Sequence, residues 1–205
     1  IKCRTGIDDL DSLEHLTHFI DTTAKAGCRC FIIHARIAVL DGLSPKQNRD
    51  IPPLNYERVF AIKERFPELD IVINGGIRSL DESRIMLEKV DGVMIGREAY
   101  QNPGFLSQVD QELFGENKPE VSQQDALAQF INYARKELDN GTALKHMTRH
   151  ILGLFQGQPG AKQFRRYLSE HAHKAGADIH ILEEAGKLIR SNTSKDIKRQ
   201  KEATC

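Results

Sequence analysis

Along the first part of the chain two hydrophobic rhythms alternate. In LEHLTHFIDTTAKA (13–26), Leu13, Leu16, Phe19, Ile20 and Thr23 share one face at helical spacing, and Gly27 stops the run. CFIIHA (30–35) is short, apolar and β-branched, which predicts a buried strand. YERVFAIKERF (56–66) predicts a helix whose apolar positions Val59, Phe60 and Ile62 lead to Phe66. DIVING (70–75) predicts a strand, LDESRIMLEKV (80–90) a helix and GVMIGR (92–97) a strand. Ser79 with Glu82 three residues on forms a capping box at the start of the third helix. IKCR (1–4) reads as the tail of a strand that begins upstream, and 37–55 as a long irregular segment with Gly42, Pro45, Pro52 and Pro53.

Strand and helix in alternation, with short connections, imply an α/β fold with a parallel sheet and right-handed crossovers. Chemistry in such folds sits at the carboxyl ends of the strands. Lys2, His34, Asn74 and Gly96-Arg97 are all expected there. From about Ser122 only helical patterns remain. Leu127, Phe130, Ile131, Ala134 and Leu138 mark one over 122–139, and Leu144, Met147, Ile151, Leu154 and Phe155 another over 142–155. Two more follow at 161–175 and 178–191, set off by Gly157, Gly160 and Gly176, and the set predicts a small all-α helical bundle. The expected organisation is an α/β domain over 1–115, a helical domain over 122–191 and a polar, disordered tail over 192–205.

Charge sharpens this division. The 205 residues carry 29 basic and 29 acidic side chains. Residues 1–141 hold 17 Lys+Arg against 23 Asp+Glu, a net of −6, and residues 142–205 hold 12 against 6, a net of +6. An acidic body with a basic appendage suits a polyanionic partner. No run of apolar residues is long enough to span a membrane, and no secretory signal is visible. The four cysteines, Cys3, Cys28, Cys30 and Cys205, lack metal-binding spacing and are read as reduced, buried thiols, so no metal is expected.

Each candidate for chemistry has two readings. Gly75-Gly76 and Gly96-Arg97 end neighbouring strands. They read either as a phosphate cradle, with bare backbone amides and a guanidinium, or as tight turns beside a surface charge. Lys2 is either a strand-end cation for an anion or a reduced flavin, or a solvated lysine. His34 is either a donor to a cofactor or a satisfied core histidine. Arg4 and Arg36 are read as structural ion-pair partners. Lys46 and Arg49 lie in the loop DGLSPKQNRD (41–50). On a wheel at 100° per residue, Lys162, Arg165 and Arg166 fall within about a third of the circumference, with Phe164 and Leu168 opposite. That basic face is either simply solvated or an RNA-phosphate surface.

The run HARIAVLDGLSPKQNRDIPPLNYERVFAIKERFP, then INGGI, DGVMIGREAYQNP and GLFQGQPGAKQFRRYLSE, closely resembles bacterial tRNA-dihydrouridine synthases of the A type. The opening KCRTGIDD is similar to that family's K-x-R-x-G-I-D segment, so the resemblance runs from Ile1 to about Arg190. It implies FMN as cofactor, NADPH as reductant and reduction of a uridine in the tRNA D-loop, at positions 20 and 20a, to 5,6-dihydrouridine. By the resemblance Lys2 and His34 face the isoalloxazine, and Asn74, Gly75, Gly76, Gly96 and Arg97 complete the FMN site. Lys46, Arg49, Lys162 and Arg165 match the A-type tRNA-contact signature. The family's N-x-G-C-P motif, which carries the general-acid cysteine, is absent. The chain therefore looks like strands five to eight of a (β/α)8 TIM barrel plus the helical domain, with the catalytic Cys upstream and this portion inactive alone. A cytoplasmic location and a monomeric full-length protein are expected. The competing readings are a non-catalytic tRNA-binding fragment and a dihydroorotate-type flavin oxidoreductase.

Overall fold

Four strands form one parallel sheet in chain order, β1 (Lys2–Arg4), β2 (Cys30–His34), β3 (Asp70–Asn74) and β4 (Gly92–Met94), in a computed structural model that describes residues 1–189. The crossovers run through α1 (Leu13–Lys25), α2 (Tyr56–Arg65) and α3 (Leu80–Leu87). Register puts Arg4, His34, Asn74 and Met94 in one row across the sheet, and Lys2, Ile32, Val72 and Gly92 in another.

Alternation along each strand sorts the side chains to two faces. Phe31, Ile33, Ile71 and Ile73 are fully buried in one core with Leu16 and Ile20 of α1 and Val59 and Ile62 of α2. Burial of each such side chain is worth roughly 1.5–3 kcal/mol, so this face holds the unit together. The other face carries Lys2, Arg4, His34 and Asn74 among the apolar Ile32, Val72 and Met94. Local signals fix the helix starts. Ser12 accepts from the His15 amide at α1. At α3, Ser79 Oγ accepts from the Glu82 amide while the Glu82 carboxylate accepts from the amides of Arg78 and Ser79. That box anchors α3 directly behind the Gly75-Gly76 turn.

By internal contacts the chain divides after Glu98, whereas the sequence pattern carries the first domain to 115. The strand predicted to reach 97 ends at Met94, and Arg97 opens α4 (Arg97–Gln101). The unit that begins at Ala99 contains a 3₁₀ turn (Pro103–Gln108), α5 (Val109–Phe114), α6 (Gln123–Asp139), α7 (Leu144–Thr148), α8 (Ala161–His171) and α9 (His180–Lys187). Its core gathers Leu127, Ala134, Leu144, Phe155, Phe164, Leu168 and Leu182. The helix expected over 142–155 stops at Thr148 and continues as turns. A Cβ on Gly153 would lie 2.0 Å from the Gln101 carbonyl oxygen, so only glycine lets the chain pass this close to Gln101. Leu154 and Phe155 are buried all the same: their spacing reported burial, not helix. No described helix is long and apolar enough to cross a membrane. The predicted tail, and the last two residues of the helix predicted over 178–191, lie outside the described residues.

Candidate functional site

The carboxyl ends of β2 and β3 gather the first group. Lys2 is not at a strand end, as expected, but opens β1, paired in register with Ile32. Its long side chain runs along the sheet, and Nζ donates to Asn74 Oδ1 at 3.1 Å. Asn74 Nδ2 donates to the Met94 carbonyl at 2.7 Å, which fixes the orientation of the amide. His34, opposite Asn74, is 8% exposed. Burial first, then the positive charges of Arg4, Lys2, Arg36 and Arg97, drive its pKa down to about 4. The ring is therefore neutral at pH 7, with one N–H to donate and one lone pair to accept. Among the described residues nothing hydrogen-bonds it, so it is not a satisfied core histidine.

Gly75 and Gly76 follow with φ of 119° and 75°, a region L side chains rarely adopt. A Cβ on Gly75 would lie 2.8 Å from His34 Cδ2, and one on Gly76 would lie 2.6 Å from Leu54 Cδ1. Tyr56 holds the turn from behind, its hydroxyl donating to the Gly75 carbonyl at 2.7 Å. Among the described residues no carbonyl accepts from the amides of Gly75, Gly76 or Gly96. The space beside Gly96 is open. Arg97 Nη1 meets Asp50 Oδ1 at 2.5 Å, and this hydrogen bond holds the Asp50 carboxyl below the usual carboxylate range. Both side chains are nearly half exposed, so the pair is weak, and its single contact leaves other guanidinium donors for a ligand.

The loop that carries Lys46 and Arg49 is pinned from beneath. Arg4 donates to the carbonyls of Ile37 and Asn48 at 2.7 and 2.8 Å. Arg36 donates to those of Pro52 and, at 3.3 Å, Asp50. Both arginines were expected in ion pairs, yet they bind backbone carbonyls, because the irregular segment 37–55 has oxygens that no ladder satisfies. Arg36 Nε stays buried without a partner. Lys46 caps the start of a 3₁₀ turn (Gln47–Arg49) that Arg49 closes, and both side chains are exposed. The thiols are not all buried as predicted: Cys30 is exposed and Cys28 half-buried. Cys3 is free and packs on the helix side of the sheet, away from Lys2, and burial raises its pKa to about 11.

In the second unit, α8 presents Lys162 and Arg166 to solvent and buries Phe164 and Leu168. Arg165 donates to Gln156 Oε1 at 3.2 Å. Arg166 is tied to Glu170 at 2.7 Å, so the face is less uniformly basic than the wheel implies. Asp50 and Tyr56 are site residues that the pattern did not reveal. Asp50 meets Arg97 from far along the chain, and Tyr56 reads only as the first residue of a helix.

Comparison with known proteins places the chain in a family. The model of the dihydrouridine synthase (Dus) family matches residues 1–190. The tRNA-dihydrouridine(20/20a) synthase of Escherichia coli (strain K12) is 57% identical over 190 residues, 92% of this chain and 55% of that protein. Those of Salmonella typhimurium and Vibrio cholerae are 56% and 55% identical, over 92% and 90% of this chain and 57% of each relative. The chain thus spans somewhat over half the length of these relatives. With the match running through every strand of the sheet and on to residue 190, the chain belongs to the dihydrouridine synthase family.

Proposed function

We propose that this chain is the part of a flavin-dependent tRNA-dihydrouridine synthase that holds FMN and grips tRNA. Its four strands correspond to strands five to eight of a (β/α)8 barrel, and the helices from 122 onward form the tRNA-binding bundle. The observation that carries the reading is the row of strand-end groups around His34, where cations surround a neutral donor and two glycine turns offer bare amides. The residues fit the cofactor. The Gly75-Gly76 and Gly96-Arg97 turns suit a phosphate dianion, which a Cβ at Gly75 or Gly76 would crowd. FMN, when bound, supplies the hydride for reduction of uracil, with NADPH as its source.

The chain's own groups bind and orient the ring, and the proton that completes the reduction is assigned to the cysteine of the N-x-G-C-P motif in the full-length protein. The Lys2 ammonium, steered by Asn74, offsets negative charge on the ring, and the His34 N–H donates to a ring acceptor. Arg97 binds the phosphate while Asp50 restrains it. Lys46, Arg49, Lys162 and Arg165 contact tRNA phosphates. The relatives' name points to uridines 20 and 20a as substrate, with reduction to dihydrouridine by the full-length protein. In that protein Arg97→Ala should weaken FMN binding by about 1.5–3 kcal/mol, the worth of a hydrogen bond to a charged group. Riboflavin, which lacks the phosphate, should bind unchanged. Fluorescence titration with both ligands tests this, and undiminished FMN affinity would contradict it.

A further inference from the structure

The helical unit has basic groups that do not lie on the exposed face of α8. Tyr100, Arg149, His150, Gln156 and Arg165 line a cavity of about 220 Å³. A second hollow of about 120 Å³ lies beside it, lined by Lys145, Ser169 and His173 among others, and Arg149 and Leu152 border both. No carboxylate lines either hollow. Elsewhere in the unit several basic side chains are matched: Arg135 with Glu183, Arg166 with Glu170 and Lys187 with Glu184.

Arg149 and Arg165 bond instead to neutral partners. Arg149 Nε donates to His150 Nε2 at 3.0 Å, and a guanidinium can only donate, so Nε2 accepts. His150 Nδ1 must then carry the proton and donate to the Tyr100 hydroxyl at 2.9 Å. This relay fixes the base of the guanidinium and leaves both Nη groups of Arg149 with unused donors. The floor of the larger cavity rests on Gly153, whose backbone approaches that of Gln101 too closely for any side chain. Two uncompensated guanidiniums around one concavity repel each other unless an anion sits between them. The cavity is smaller than the roughly 300–1,000 Å³ of small-molecule pockets, which suits a phosphodiester rather than an enclosed nucleotide.

We propose that Arg149 is a binding residue for the RNA sugar–phosphate backbone. It takes a phosphate from its seat between the two hollows, with Arg165 and Lys145 serving the phosphates on either side. This rests on the tRNA reading above and extends the contact surface beyond the four residues named there. In the full-length protein, tRNA affinity is measured at several salt concentrations. Arg149→Gln should weaken binding roughly tenfold and flatten the log–log salt slope by about 0.7–0.9. Arg149→Lys should keep the slope, since the charge remains. Arg135→Gln, whose arginine is already matched by Glu183, should leave the slope unchanged. An unaltered melting temperature and FMN content establish that each variant is folded. If Lys162→Gln/Arg165→Gln flattens the slope and Arg149→Gln does not, this inference is overturned while the tRNA reading stands. If the double variant leaves the slope unmoved, the tRNA reading falls, and with it this inference.

Discussion

Gly76 is a single residue position required by the fold and, on the proposed reading, by a ligand as well. Its φ of 75° and the 2.6 Å approach of Leu54 Cδ1 to any Cβ both exclude a side chain. Gly76→Ala should therefore cost about 1–3 kcal/mol in urea unfolding and also reduce FMN retention on gel filtration. Next to it, His34 gives the unit a pH dependence. Its folded pKa of about 4 lies below the ordinary 6.5, so as pH falls the unfolded chain takes up the proton first. Stability should be undiminished by this group above pH 6.5, fall between 6.5 and about 4, and level off below. His34→Gln should remove that slope from urea midpoints measured across the window. The sequence marks His34 and the glycines because their neighbours in the chain define the strand ends. It does not mark Asp50 or Tyr56, whose roles exist only once Arg97 and Gly75 arrive beside them.

Elements whose ends have local causes were the legible ones. Ser12 and the Ser79–Glu82 box fix α1 and α3 from within a single turn, and both caps form. The stretch after Thr148 was not legible, because Gly153 there packs directly against Gln101, a contact made by distant backbone. Lys2 misled in a different way: its side chain reaches the row of Asn74 although its backbone does not. On α8 the wheel placed Phe164 and Leu168 inward correctly but could not foresee that Glu170 claims Arg166. Lys162→Gln with Arg165→Gln should accordingly flatten the salt slope of tRNA binding by roughly 1.4–1.8, while FMN binding stays unchanged. Arg166→Gln, losing a charge already matched, should change the slope little.

At the scale of the molecule, the α/β unit and the helical one each have their own core, but the charge split does not follow that division: residues 1–98 hold 14 Lys+Arg against 16 Asp+Glu, and residues 99–205 hold 15 against 13. Half of the +6 beyond residue 141 belongs to residues 190–205, with five Lys+Arg against two Asp+Glu, and residues 142–189 carry the other half. The sheet buries one face against its helices. The other bears the His34 row, with Ile32 and Val72 only partly covered. The central claim is that this sheet face holds the flavin with which the full-length protein reduces uridine in tRNA. It is tested most directly by incubating that protein with FMN, NADPH and tRNA from cells that make no dihydrouridine, then mapping the product by mass spectrometry. The account predicts a gain of two hydrogens at uridines 20 and 20a, requiring NADPH and sharply reduced by Arg97→Ala at limiting FMN. Unchanged tRNA from flavin-loaded wild-type protein, or a product at the same yield without flavin, would contradict it.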